Sequence, residues 1–259
     1  MKEIFKYKKY KDLFKQLTLR EIKGKYKQSV LGYAWVLLVP LLNLLVLNIV
    51  FQYFFRVPTG GIPYSIYLFV ALVPWTFTVN AISSSTSSIV ANSSLITKVY
   101  FPREIIPLTA IASKLVDLFL MCIVLVLFLL FYKIPIQITI LYIPLIFLVQ
   151  LLLITGVSLI LSSTNVFFRD VENMLGVILT IWMYLTPIIY PPELIPANVR
   201  FLFGLNPMVG IINSYRNTIL YGVPPPLQSF VFSIVISIIL MIIGIILFKR
   251  MERSFADVI

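Results

Sequence analysis

Long apolar runs constrain this chain before anything else does. A helix needs about 20 mainly apolar residues to cross a hydrocarbon core of ~30 Å. Six stretches meet that demand: Val30 to Phe55, Tyr64 to Val90, Pro107 to Tyr132, Ile138 to Leu161, Met174 to Tyr190 and Leu227 to Phe248. With 60% hydrophobic residues among 259 and a mean hydropathy of +1.00, the chain has more apolar surface than a water-soluble fold of this size buries. The sequence therefore predicts an all-α integral membrane protein with six transmembrane helices and one domain over residues 1–259. Residues 1–29 would form an amphipathic head, 30–250 the six-span bundle and 251–259 a tail.

The charge balance fits a membrane better than a nucleic acid. Lysine and arginine number 21 against 10 acids, and ten of the basic residues fall within the first 27 positions. Such a run is a cytoplasmic flank beside anionic lipid. Lys98, Arg103, Arg169, Lys249, Arg250 and Arg253 fall on the same side once six spans are drawn, so both termini are expected in the cytoplasm of a multi-pass protein of the inner membrane. The apolar run after the basic start is long and lacks a small-residue cleavage site, unlike a signal peptide.

Three segments are predicted not to cross. Tyr10, Leu13, Phe14 and Leu17 share one helical face among lysines, as an amphipathic interface helix does. Between spans two and three, Leu95, Ile96, Val99 and Tyr100 would form a short apolar knob in the cytoplasm, ended by Pro102, with too little area to fold alone; it would rest on lipid headgroups or on a protein partner. Between spans five and six lies a proline-rich stretch, Tyr190 to Pro226. There Asn206 suits an N-cap, Pro207 a first helical position and Gly222 a left-handed C-terminus, which predicts a re-entrant helix from Pro207 to Tyr221. Arg216 falls off its apolar face and needs water, a lipid phosphate or a carboxylate; Glu193 is the acid expected on that side.

Enzymatic constellations are missing. The chain has no histidine, one cysteine (Cys122) and no phosphate-binding Gly-x-x-x-x-Gly-Lys-Ser/Thr loop, so no catalytic residue, metal ligand or bound cofactor is expected. Lys114 and Asp117 share a face within the third span. A structural pair near the membrane surface outweighs a proton relay as the explanation, because the lysine can snorkel.

Val99, Tyr100, Phe101, Pro102, Arg103, Glu104, Ile105, Ile106, Pro107 and Leu108 resemble the coupling segment of ABC-2 type permeases of the polysaccharide-export branch. Gly32 to Trp35 with Pro40, Phe168 to Asp170, Leu185 to Pro191, and Asn206, Pro207, Tyr215 and Arg216 are similar to further stations of that family, in the same order. The resemblance implies a homodimeric, channel-forming permease for lipid-linked polysaccharide such as O-antigen. Its partners would be a second copy, two separate ABC ATPase subunits that hold ATP and Mg, and membrane lipids, with no nucleic acid. Leu95, Ile96, Lys98, Val99, Tyr100, Phe101, Pro102, Arg103 and Glu104 would couple to the ATPase. Candidate channel or substrate residues are Tyr33, Trp35, Phe51, Tyr53, Tyr64, Tyr67, Trp75, Ser84, Ser87, Trp182 and Arg216, the aromatics because rings stack on sugars. An ABC-2 exporter of a drug or small lipid, a membrane transferase and an ion-driven transporter are the competing readings.

Overall fold

The computed structural model describes residues 10–26, 32, 34–196 and 198–258. They are organised around one helix, α3 (Tyr64–Ala91), which has apolar or hydroxyl side chains on every side and is buried along most of its length. Before it come α1 (Lys11–Tyr26) and α2 (Ala34–Asn48), whose last turns widen into a π-helical stretch, Ile49–Phe54. After it come α4 (Ser93–Lys98), α5 (Ile105–Phe131), α6 (Ile143–Phe167, led in by a 3-10 turn), α7 (Asp170–Tyr184), α8 (Arg200–Gly204), α9 (Pro207–Arg216), α10 (Leu227–Met251) and α11 (Phe255–Val258).

Five of these helices are long and apolar enough to cross a membrane: α2 with its π-helical end, α3, α5, α6 with its lead-in, and α10 with the turn that follows it. The predicted fifth span differs. Instead of running from Met174 to Tyr190, α7 starts at Asp170, where Asp170 and Glu172 sit favourably in the first turn, and stops at Tyr184. Pro187 disfavours helical backbone at Thr186, so the chain breaks into turns. The resulting 15 residues reach only ~22 Å.

Polar residues mislead at one other boundary. The fourth span is expected to stop at Leu161, yet α6 continues to Phe167. Ser163 and Thr164 donate to the carbonyls of Leu159 and Ile160 (both 2.8 Å), so the hydroxyls spend their hydrogen bonds on the helix itself. The serine-rich half of α3 behaves alike: Thr86 donates to Ile82 O (2.8 Å) and Ser88 to Ser85 O (2.7 Å), and Ser85, Thr86 and Ser88 are buried.

Small residues let the bundle close. At Gly156 of α6, a Cβ would lie 2.6 Å from the α10 backbone at Leu240, and at Gly244 of α10 one would lie 2.6 Å from Gly156 O, so these helices touch backbone to backbone. Gly210 of α9 sits equally close to Ser229 and Ser233 of α10, and Ser233 donates to Pro207 O (2.7 Å). By contrast α2 buries only Pro40 and Leu44, leaving Val39, Leu42, Leu45, Val46 and Ile49 exposed.

Candidate functional site: two tethered ends and the cleft between them

One end of the bundle carries α1, α4 and the chain after α10. Leu17 of α1, Ile89 of α3, Ile96 of α4, Phe101, Ile105 and Ile106, Leu159 and Val166 of α6, Phe248 of α10 and Phe255 of α11 form one buried cluster. It corrects the expected knob. Ile96 and Phe101 point into the chain's own core, Leu95 packs against it, and the residues left outward are Lys98, Val99 and Tyr100, the last 90% exposed. Pro102, Arg103 and Glu104 are half-buried, and Arg103 turns inward, donating to Glu252 O with its guanidinium over the Phe255 ring. The face of α1 that the sequence marks as amphipathic covers this cluster with Tyr10, Leu13, Phe14 and Leu17, while Arg20 donates to Asn92 Oδ1 at the corner between α3 and α4.

The other end is built on α9. Asn206 caps it through Oδ1, which accepts from Met208 N (3.0 Å) and from Trp182 Nε1 (2.9 Å). Its Nδ2 donates to Leu185 O (3.0 Å) and Thr186 Oγ1 (2.8 Å), so one amide uses its whole capacity to join α7 to α9. The helix continues as a π-helical stretch, Asn217–Tyr221, and ends at Gly222, where φ is 63° and a Cβ would collide with Gln137. The predicted bounds and caps thus match.

Arg216 does not sit where the sequence suggests. It is 2% exposed and donates to the carbonyls of Pro187 and Ile188, with its guanidinium 3.8 Å from the centroid of the Tyr67 ring. No salt bridge joins it to Glu193, which is exposed. Two carbonyl dipoles and a ring face surround the cation, and the Glu193 carboxylate is not among its partners. Tyr64 donates to Ile189 O (2.7 Å) and stacks near Tyr67. Tyr64 and Arg216 therefore grip the turn after α7 from inside the protein, with the Tyr67 ring against the guanidinium. Nearby, burial pushes the Tyr221 phenol up from its ordinary value, with Arg216 partly opposing the shift, so it remains neutral.

Between the two ends a cleft of about 540 Å³ opens among α2, α3 and α5. Trp35, Asn43, Trp75, Asn80, Lys114 and Asp117 supply most of its polar and aromatic lining. Trp35 is exposed, whereas Trp75 is nearly sealed and meets Trp182 edge-on at 5.7 Å. Ser84 and Ser87 are half-buried on α3; Phe51 stacks on Phe55 at 5.4 Å, and Tyr53 is exposed. Tyr33 lies outside the described residues. Sequence reasoning missed Gln150 of α6, which donates to Pro74 O (2.8 Å) and Thr78 Oγ1 (3.0 Å) and accepts from Tyr215 OH (2.9 Å). The available signal was a lone amide in an apolar run, at least 65 residues from its partners.

Comparisons with known proteins agree on one family. The profile described as ABC-2 type transporter matches residues 12–220. An O-antigen export system permease protein of Klebsiella pneumoniae is 32% identical over 96% of this chain and 95% of its own length, and one of Myxococcus xanthus is 29% identical at the same coverage. A polysialic acid transport protein of Escherichia coli is 26% identical over 92% of this chain and 93% of its own.

Proposed function

Given that this chain belongs to the ABC-2 type transporter family, we propose that it is the permease subunit of an ATP-driven exporter of lipid-linked polysaccharide, O-antigen being the model substrate. The observation that carries this reading is Tyr100: an almost fully exposed aromatic beside exposed Val99, on a segment whose other apolar residues are anchored in the core. A chain without a phosphate-binding loop takes its energy from elsewhere, and this is the surface prepared to receive it. The end bearing Tyr100 and the basic residues is assigned to the cytoplasm, and the α9 end to the outer leaflet as a re-entrant unit. The sixth crossing is then α7 together with the turns to Tyr190.

Two copies are needed for a channel. The exposed faces of α2 and of α7 (Met174, Val177, Ile178, Ile181) are the surfaces offered to a second copy. The cleft carrying Trp35, Trp75, Asn43 and Asn80 would face the path between them, where rings stack on sugars and amides replace their water. The printed names of the relatives favour a polysaccharide over a drug or small lipid as cargo.

Deleting the gene tests this directly. Cell-surface polysaccharide is expected to disappear while its lipid-linked precursor accumulates inside, and Tyr100→Asp should reproduce that state with permease still in the membrane. Unchanged surface polysaccharide in the deletion strain would overturn the reading.

A further inference from the structure

Backbone hydrogen bonding stops just where the ATPase-docking surface begins. Val99 N donates to Leu95 O (3.1 Å), and the next backbone donation in the chain is Ile105 N to Pro102 O (3.1 Å). Val99 itself is extended, at φ −131° and ψ 133°. Tyr100 thus stands on a stretch without a helical ladder, whose position side chains must set. Phe101 is one such tether. The other comes from far along the sequence: after α10 the chain makes a 3-10 turn, Glu252–Ser254, that brings Phe255 back into the cluster.

Phe255 is fully buried and meets Phe248 edge-on (5.5 Å, 88°) and Phe167 at 6.1 Å, so the ends of α10 and α6 converge on its ring. Arg103 also lies over this ring, 5.9 Å from the centroid, and the same guanidinium donates to Glu252 O. α11 also touches α4. We propose that the segment Glu252–Val258 is a strut that fixes the ATPase-docking stretch Val99–Phe101 to the ends of α6 and α10, with Phe255 and Arg103 as its positioning residues. Nucleotide-driven motion received at Tyr100 would then pass to α6 and α10 as well as to α3 and α5. Arg103, which the sequence alone places on the partner-facing list, acts here through the strut.

The inference rests on the proposed function of Tyr100, and the test separates the two. In the full permease–ATPase complex, Phe255→Leu keeps the cluster filled but removes the ring beneath Arg103. Arg103→Lys keeps the charge but loses the planar fork. Both are expected to leave permease level and melting temperature near parental. Phe255→Leu should lower recovered ATPase and export about five-fold and Arg103→Lys about two-fold. With Cys122 replaced by Ser, a nitroxide placed by Tyr100→Cys should become more mobile in the Phe255→Leu background at an unchanged melting temperature, which separates local release from general loosening. Parental label mobility and export in Phe255→Leu, with Tyr100→Asp still uncoupled, would overturn the strut alone. If Tyr100→Asp also behaved as parental, the docking reading itself would fall.

Discussion

Two arginines at opposite ends of the molecule are held by the same kinds of partner and differ in depth. Arg103 donates to one carbonyl and covers Phe255 while half-buried; Arg216 donates to two carbonyls and covers Tyr67 at 2% exposure. A half-buried cation beside water can let go at modest cost. A sealed cation cannot, because its carbonyls and its own charge would be left without partners. The α9 end is therefore deeply anchored to α3 and the turn after α7, while the Tyr100 end is held by contacts nearer the surface.

Substitutions can break that contrast. The largest effect is expected from Phe101→Asp, which puts a carboxylate into the apolar cluster and should cost on the order of 4 kcal/mol, read as a lower midpoint of thermal unfolding in detergent. A folded but uncoupled protein would show Phe101 to be a docking residue after all. Arg216→Met comes next, at ~3 kcal/mol by the same measurement, with Arg216→Lys recovering part of the loss because an ammonium lacks the guanidinium fork. Parental melting of Arg216→Met would mean that burial of Met208, Ile211 and Ile212 alone holds α9.

Asn206→Ala should cost ~2 kcal/mol by removing a cap and the links to Trp182 and Leu185, and the freed indole should shift tryptophan emission. An unaltered spectrum would show that α7 stays in place without the amide. The smallest stability effect, within ~0.5 kcal/mol, is expected for Tyr100→Asp, because the ring is 90% exposed. Its melting curve should overlay the parental one although ATPase recovery is lost, and a large shift would place Tyr100 in the core.

Local signals were legible wherever one residue decides one backbone state. Asn206, Pro207 and Gly222 bracket α9 and its π-helical end because a cap, a fixed φ and a left-handed residue each act within a turn. Pro102 did not set the end of α4, which stops at Lys98, before the residue that a proline restricts. Hydropathy was less reliable at helix ends, since the Ser162–Asn165 run reads as an exit from the membrane while its hydroxyls are satisfied within α6. It also drew one continuous helix through Pro187, where α7 stops at Tyr184.

What the sequence by itself determined is the all-helical membrane class, the family and the turn chemistry, because apolar run length, motif order and caps are properties of neighbouring residues. Only the tertiary structure decided which members of a motif face inward. Tyr100 and Phe101 are adjacent and both aromatic, yet one is exposed and the other sealed, because Phe101 joins a buried cluster with residues of α1, α6, α10 and α11 that are far away in sequence. Arg216 likewise looked like a charge in search of an anion until the turn at Pro187 and Ile188 brought two carbonyls to it. A buried group's partners are fixed by where distant segments pack, and that information appears only once the helices have closed on one another.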